Sequence, residues 1–110
     1  MELTWNQFMN VDMRVGTILE VHDFPEARNP AYKLTVDFGP DLGVKKSSAQ
    51  ITSLYNPEEL VGCQVIAVVN FPKKQIGPFM SECLVLGAVD GKNVTLLSLS
   101  KPAANGLRIG

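Results

Sequence analysis

The chain has 110 residues, 45% hydrophobic and 19% charged, with a formal net charge of −1. That length fits one domain and excludes two, and the apolar content excludes intrinsic disorder. The slightly acidic balance excludes a general polyanion binder, whose domain would be strongly basic, and leaves room only for a local basic patch.

Taken in order, Thr4-Trp5-Asn6-Gln7 fits a capping box and predicts a short helix over Trp5–Met9. It would present Trp5, Phe8 and Met9 as an apolar plug, over a barrel end or at a subunit interface. Residues 13–22 read as a strand with Val15, Leu19 and Val21 on one face. Ile18 breaks that phase, and Gly16 is the expected site of a bulge or bend. Residues 23–31 hold Pro25 and Pro30 and form a loop that mixes Phe24 with Glu26 and Arg28. Residues 32–38 alternate cleanly, with Tyr32, Leu34, Val36 and Phe38 facing inward.

A turn at residues 39–43 leads to a weaker, polar strand over 44–50, with Lys45, Lys46, Ser47 and Ser48. Asn56 is the expected cap of a helical turn that has Pro57 in first position, Glu58 and Glu59 at its positive end, and Gly62 as its stop. Residues 65–69 are apolar on both faces and predict an interior strand. Residues 83–89 form the next strand, and Asp90-Gly91 turns into a last one over 94–99.

Short strands, turn signals and one helical turn between the third and fourth strands predict an all-β fold. It is a five-stranded barrel of the oligonucleotide/oligosaccharide-binding (OB) type, with an N-terminal helix and a C-terminal strand as extensions. In such barrels the loops after the first strand and between the fourth and fifth form the ligand side. Those are residues 23–31 and 71–81. The second carries Phe71, Pro72, Lys73, Lys74, Ile76, Gly77, Pro78, Phe79 and Met80. Large apolar groups beside lysines in a loop point to a contact surface. Phe24, Phe71, Ile76, Phe79 and Met80 are the candidate peptide-binding residues, with the flexible Met80 thioether suited to varied partners. Arg28, Lys73 and Lys74 would meet peptide carboxylates and carbonyls, or RNA phosphates. The barrel is complete by about residue 89, so Val94, Leu96, Leu97, Leu99, Leu107 and Ile109 remain uncovered with the N-terminal plug. Contiguous exposed apolar residues predict a two-fold homodimer built from the two termini.

No catalytic constellation assembles. His22 is the one histidine, beside Glu20 and Asp23 at a strand end. There is no Cys–His or Ser–His arrangement with a third member, no nucleotide-binding glycine motif and no metal spacing. The expectation is a non-enzymatic protein without metal or cofactor. No apolar run approaches the ~20 residues of a membrane helix. The start MELTWNQFMN is unlike a secretion signal, so the expected location is cytoplasmic. There Cys63 and Cys83 should be free thiols.

At Val11-Asp12-Met13-Arg14-Val15-Gly16 and Tyr55-Asn56-Pro57-Glu58-Glu59-Leu60-Val61-Gly62 the chain resembles the OB-fold tRNA-binding domain superfamily. At Ser47-Ser48-Ala49-Gln50-Ile51-Thr52, Gln64-Val65-Ile66-Ala67-Val68-Val69-Asn70-Phe71-Pro72 and Ser81-Glu82-Cys83-Leu84-Val85-Leu86-Gly87 it looks like the CsaA family of export-related chaperones. The resemblance implies that residues 1–110 are a single OB-fold domain whose termini make a homodimer interface. It implies a cytoplasmic protein that binds unfolded or precursor polypeptides for secretion. A secretion motor and tRNA are candidate partners, and tRNA binding is the alternative function. Asn70, Ser81 and Glu82 join Arg28, Lys73 and Lys74 as candidate polar or tRNA contacts. Cys83-Leu84 stands where the tRNA-binding branch typically has Gly-Met.

Overall fold

The computed structural model describes residues 1–110. In chain order its elements are α1 (Trp5–Met9), β1 (Met13–Asp23), β2 (Tyr32–Asp37), α2 (Gly39–Leu42), β3 (Val44–Ala49), α3 (Pro57–Leu60) and β4 (Gln64–Val68). Then come β5 (Lys74–Ile76), β6 (Phe79–Ser81), β7 (Leu84–Val85), β8 (Gly87–Asp90) and β9 (Asn93–Leu96). Five antiparallel strands run in the order β3-β2-β1-β4-β7, and β5-β6 and β8-β9 are separate two-stranded ribbons. The sheet curls until its end strands face each other, which makes a nearly closed barrel.

The alternation in β2 buries Tyr32, Leu34 and Val36, and Phe38 follows them into the core. The rest of that core is mostly aliphatic, with Ile18, Leu60, Val65 and Ala67. β4 lies between β1 and β7, and Val65 to Val68 are all buried, as a doubly covered strand requires.

β1 departs from the expected phase. Ile18 pairs with Val36 and Glu20 with Thr35, so Leu19 is the extra residue of a bulge. The bulge turns Ile18 into the core and Leu19 to solvent. Gly16 has a different role from the one expected. A Cβ there would lie 2.6 Å from Val36 Cγ1 and 2.7 Å from Phe38 Cε1. The glycine gives room for a core aromatic to cross the strand.

Three other elements differ. Residues 71–81 are not a plain loop: β5 and β6 form a ribbon turned at Gly77, whose φ is +55°. The expected strand over 83–89 breaks into β7, which pairs with β4, and β8, which leaves to pair with β9. α3 begins with Pro57 and buries Leu60, but the Asn56 side chain makes no capping bond.

The termini meet beside β1. The α1 capping box is complete: Gln7 N–H donates to Thr4 Oγ1 at 3.1 Å, and Thr4 N–H donates to Gln7 Oε1 at 2.9 Å. Yet α1 buries none of its residues and does not plug the barrel. Trp5 is 69% exposed, with Phe8 as its aromatic neighbour at 5.6 Å. The C-terminal tail runs along the first half of β1. Gly106 N–H donates to Val15 C=O at 2.8 Å, Val15 N–H to Leu107 C=O at 3.0 Å, and Ile109 N–H to Met13 C=O at 2.9 Å. Arg108 Nη2 donates to Met9 C=O at 2.6 Å and so ties the tail to the end of α1.

Gly16→Ala forces a methyl against two packed core side chains. The expected loss is about 1–3 kcal/mol of stability, read as a lower urea midpoint. An unchanged midpoint would show that Phe38 has room to move.

Candidate ligand-binding face

The face is built where the sheet ends meet. β3 and β7 share no ladder, and side chains join them instead. Lys46 N–H donates to Glu82 Oε1 at 3.0 Å, and Glu82 N–H donates to Lys46 C=O at 2.8 Å. Ser48 N–H donates to Ser81 Oγ at 3.2 Å, and the buried Ser47 hydroxyl donates to Cys83 C=O at 2.9 Å. Glu82 Oε2 also lies 3.5 Å from Lys73 Nζ, which tethers the segment before β5. Ser81 and Glu82 thus hold the barrel together, and their hydrogen-bonding capacity is largely engaged within the chain.

Phe24 and Phe79 do not offer contact area. They are 4% and 9% exposed and pack edge to face at 5.3 Å, with Ala31 beside them and Ala27 and Ile76 against the pair. Each ring sits on a separate connection, and each leaves water by packing on the other. The result is a brace that holds the 24–31 loop and the β5-β6 ribbon as one unit. Phe71 and Met80 do stay outside, 55% and 39% exposed, with Leu84 beside them in the exposed class. Phe71, Pro72, Lys74, Ser81, Cys83 and Leu84 line a shallow depression of about 230 Å³.

Arg28 and Lys74 are exposed and make no ion pair. Asn70 is used within the fold. It accepts from Asp12 N–H at 3.1 Å and donates to Asn10 C=O at 2.7 Å, so it fixes the link between α1 and β1.

Two features escaped sequence reasoning. The outer face of β1-β2-β3 carries Lys33 opposite Ser48 and Lys46 opposite Thr35. Lys33 Nζ stands 5.6 Å from the centre of the Phe24 ring. The period-two alternation contained this cationic row, which was read only for its inward half. The second feature is an open groove of about 700 Å³ between residues 48–53, β7 and the β8-β9 ribbon. Leu84 lines both the groove and the smaller depression. No local pattern signals the groove, because its walls lie far apart in the chain. No three His, Cys, Asp or Glu side chains gather where a metal could bind.

Residues 13–108 match the family model described as a putative tRNA binding domain. The crystal structure of chaperone CsaA from Bacillus anthracis superposes with a TM-score of 0.94 at 47% identity, over 100% of both chains. The chain belongs to the CsaA family, within the tRNA-binding OB-fold domains. A CsaA chaperone structure from Picrophilus torridus gives a TM-score of 0.93 at 51% identity, covering 99% of this chain and 100% of that one. A MetRS related protein from Pyrococcus horikoshii gives 0.86 at 27% identity over both full chains. Methionine–tRNA ligase of Thermococcus kodakarensis is 36% identical over 97% of this chain, which spans only 14% of the ligase.

In this CsaA-family chain the two thiols differ sharply. Cys63 is exposed and Cys83 buried. Burial raises the Cys83 thiol to about 11, against the opposing hydrogen bond of Ser47. Unfolding returns it to the ordinary value of about 8.5. Between those values the folded state holds the proton more tightly, so stability is full below about pH 8.5 and falls as pH rises toward 11. Tyr32, raised by burial and by Asp23, adds to the same alkaline limb. At pH 8 a thiol reagent should modify Cys63 alone until the protein unfolds. Cys83→Ala should flatten the fall in melting temperature between pH 9 and 11, and an equally steep fall would assign it to other groups.

Proposed function

We propose that the chain is a non-catalytic chaperone that captures unfolded or precursor polypeptides in the cytoplasm for secretion, and that it works as a homodimer. The observation that carries this reading is the exposed Phe71, Met80 and Leu84 surface beside Lys74, in a chain that aligns end to end with CsaA chaperone structures. An unfolded segment offers apolar side chains at irregular spacing with scattered polar groups. An adaptable, lightly charged apolar patch suits it. The contact residues are Phe71, Met80 and Leu84, with Ile76 at the margin; Phe24 and Phe79 support them from beneath. Lys73 and Lys74 meet carboxylates or carbonyls, and a secretion motor would receive the captured segment.

The dimer reading rests on the termini. Trp5, Met9, Val11 and Leu107 are all exposed, and the Arg108 bond to Met9 brings α1 and the tail side by side. Such a patch is covered when a second copy meets it. Two copies would also bind one extended client with avidity. Sedimentation equilibrium at micromolar concentration should read the mass of two chains, and of one after Trp5→Ser with Leu107→Ser. A monomeric parent protein ends the dimer reading.

Structure-selective tRNA binding is the second reading. The observations that favour it are the family match and the row of Lys33 and Lys46 on the sheet face, flanked by Arg28 and Lys74. Salt separates the two readings. Phosphate contacts weaken steeply with added salt, whereas apolar capture changes little. Phe71→Ala with Met80→Ala should weaken capture of a reduced, unfolded protein by about tenfold. Lys33→Ala with Lys46→Ala should leave that capture unchanged. If the lysine pair alone matters and the salt slope is steep, RNA is the ligand.

A further inference from the structure

The barrel is sealed along only part of its seam. In an antiparallel ladder, hydrogen-bonded and non-bonded pairs alternate. Leu86 N–H donates to Ile66 C=O at 2.9 Å, and the register pairs Ala67 with Val85 and Val68 with Leu84. Val85 is therefore a non-bonded position, and its N–H and C=O point away from β4 into the groove. On the facing wall, Phe38 N–H donates to Gly43 C=O at 3.0 Å. Carried along the register, that bond makes Lys46 and Ser48 the positions whose backbone groups turn away from β2. Glu82 and Ser81 meet the N–H groups of those two residues.

Beyond Ser48 nothing in the chain continues the seal. The backbone groups of Gln50, Ile51, Thr52 and Ser53 bond to no other protein group. All four residues line the groove, opposite Leu84 and Val85, with Val89 and Val94 as further apolar wall. Lys92 is the one charged residue of the lining.

We infer that this open part of the seam is a strand-addition site: it takes a short extended polypeptide segment with apolar side chains at alternate positions and an acidic residue beside Lys92. A strand edge offers N–H and C=O groups at a spacing that another extended backbone complements. The apolar wall receives alternate side chains, and the single cation selects a carboxylate. A polyanion would need more cations than one. Four unpartnered residues at ~3.3 Å each accommodate a segment of about four residues. Backbone pairing is indifferent to side-chain identity, which suits clients of varied sequence. The inference rests on the polypeptide-binding reading and adds to it a mode of recognition at a site next to Phe71.

The probe is a fluorescein-labelled peptide, Ser-Val-Thr-Val-Thr-Val-Asp-Ser, with two forms N-methylated on the valine or on the threonine amides. Successive amides of an added strand point to opposite edges. One methylated form should therefore bind about tenfold more weakly than the other. Val85→Pro removes an N–H that no ladder bond uses, and proline is tolerated at a strand edge. It should cost about tenfold in affinity for the unmethylated peptide. Lys92→Glu should weaken that peptide and spare its Asp-to-Lys counterpart. Peptide should also slow amide exchange at residues 50–53.

Equal binding of the two methylated forms overturns the inference, and this comparison uses the unaltered protein, so it stands if Val85→Pro fails to fold. Capture of unfolded protein that still depends on Phe71 would then leave the chaperone reading in place. Slowed exchange at residues 50–53 on raising protein concentration alone would mean that a second copy fills the seam, and slowing by tRNA would mean an RNA ligand. Either result overturns it. Failure to bind both peptide and unfolded protein removes the chaperone reading as well.

Discussion

A curled sheet has two edges, and the unpaired backbone groups on those edges must find partners or face water. In this protein the edges are β3 and β7, and three side chains bridge them. Ser47 reaches the Cys83 carbonyl, Ser81 receives the Ser48 amide, and Glu82 exchanges bonds with Lys46. Side chains reach only as far as their own length, so this closure is local. It seals the barrel near residues 46–48 and stops before residue 50. The same contacts bury Cys83 and restrain Lys73. Closure of the fold and placement of the candidate site are therefore one event.

A second division of labour lies in the aromatic residues. Two rings from separate connections, Phe24 and Phe79, bury against each other and make a fixed support. Phe71, one turn of chain away from that support, remains outside. A contact surface needs both kinds of residue. Exposed apolar groups on a mobile loop would lose conformational entropy on binding, and the buried pair removes part of that cost in advance. Lys33, held over the Phe24 ring, links the same support to the cationic sheet face.

The termini connect to this arrangement through Asn70. Its amide holds the α1–β1 link from both sides, and it immediately precedes Phe71 and the chain leading into β5. A terminal patch carrying Trp5 and Leu107 and the ligand face are thus joined by a few residues of ordered backbone. Docking of a second copy at one would fix the orientation of the other.

The barrel was legible in the residues because its determinants are local. The alternation from Tyr32 to Phe38, the apolar run from Val65, the Thr4–Gln7 capping box and the glycine turn at Gly91 each act within a few residues, and each stands where the pattern put it. The exposed half of the candidate site, Phe71 and Met80, was also readable from composition. The bulge at Leu19, the burial of Phe24 on Phe79, the use of Asn70 and Glu82 as fasteners, and the open groove were not. Each depends on what lies opposite a residue across the sheet or on another connection, and no spacing within one segment encodes that. Amino-acid order alone determined which segments extend and which faces are apolar; only the curled sheet decided which apolar groups found a neighbour and which backbone edges did not, because burial is a property of pairs.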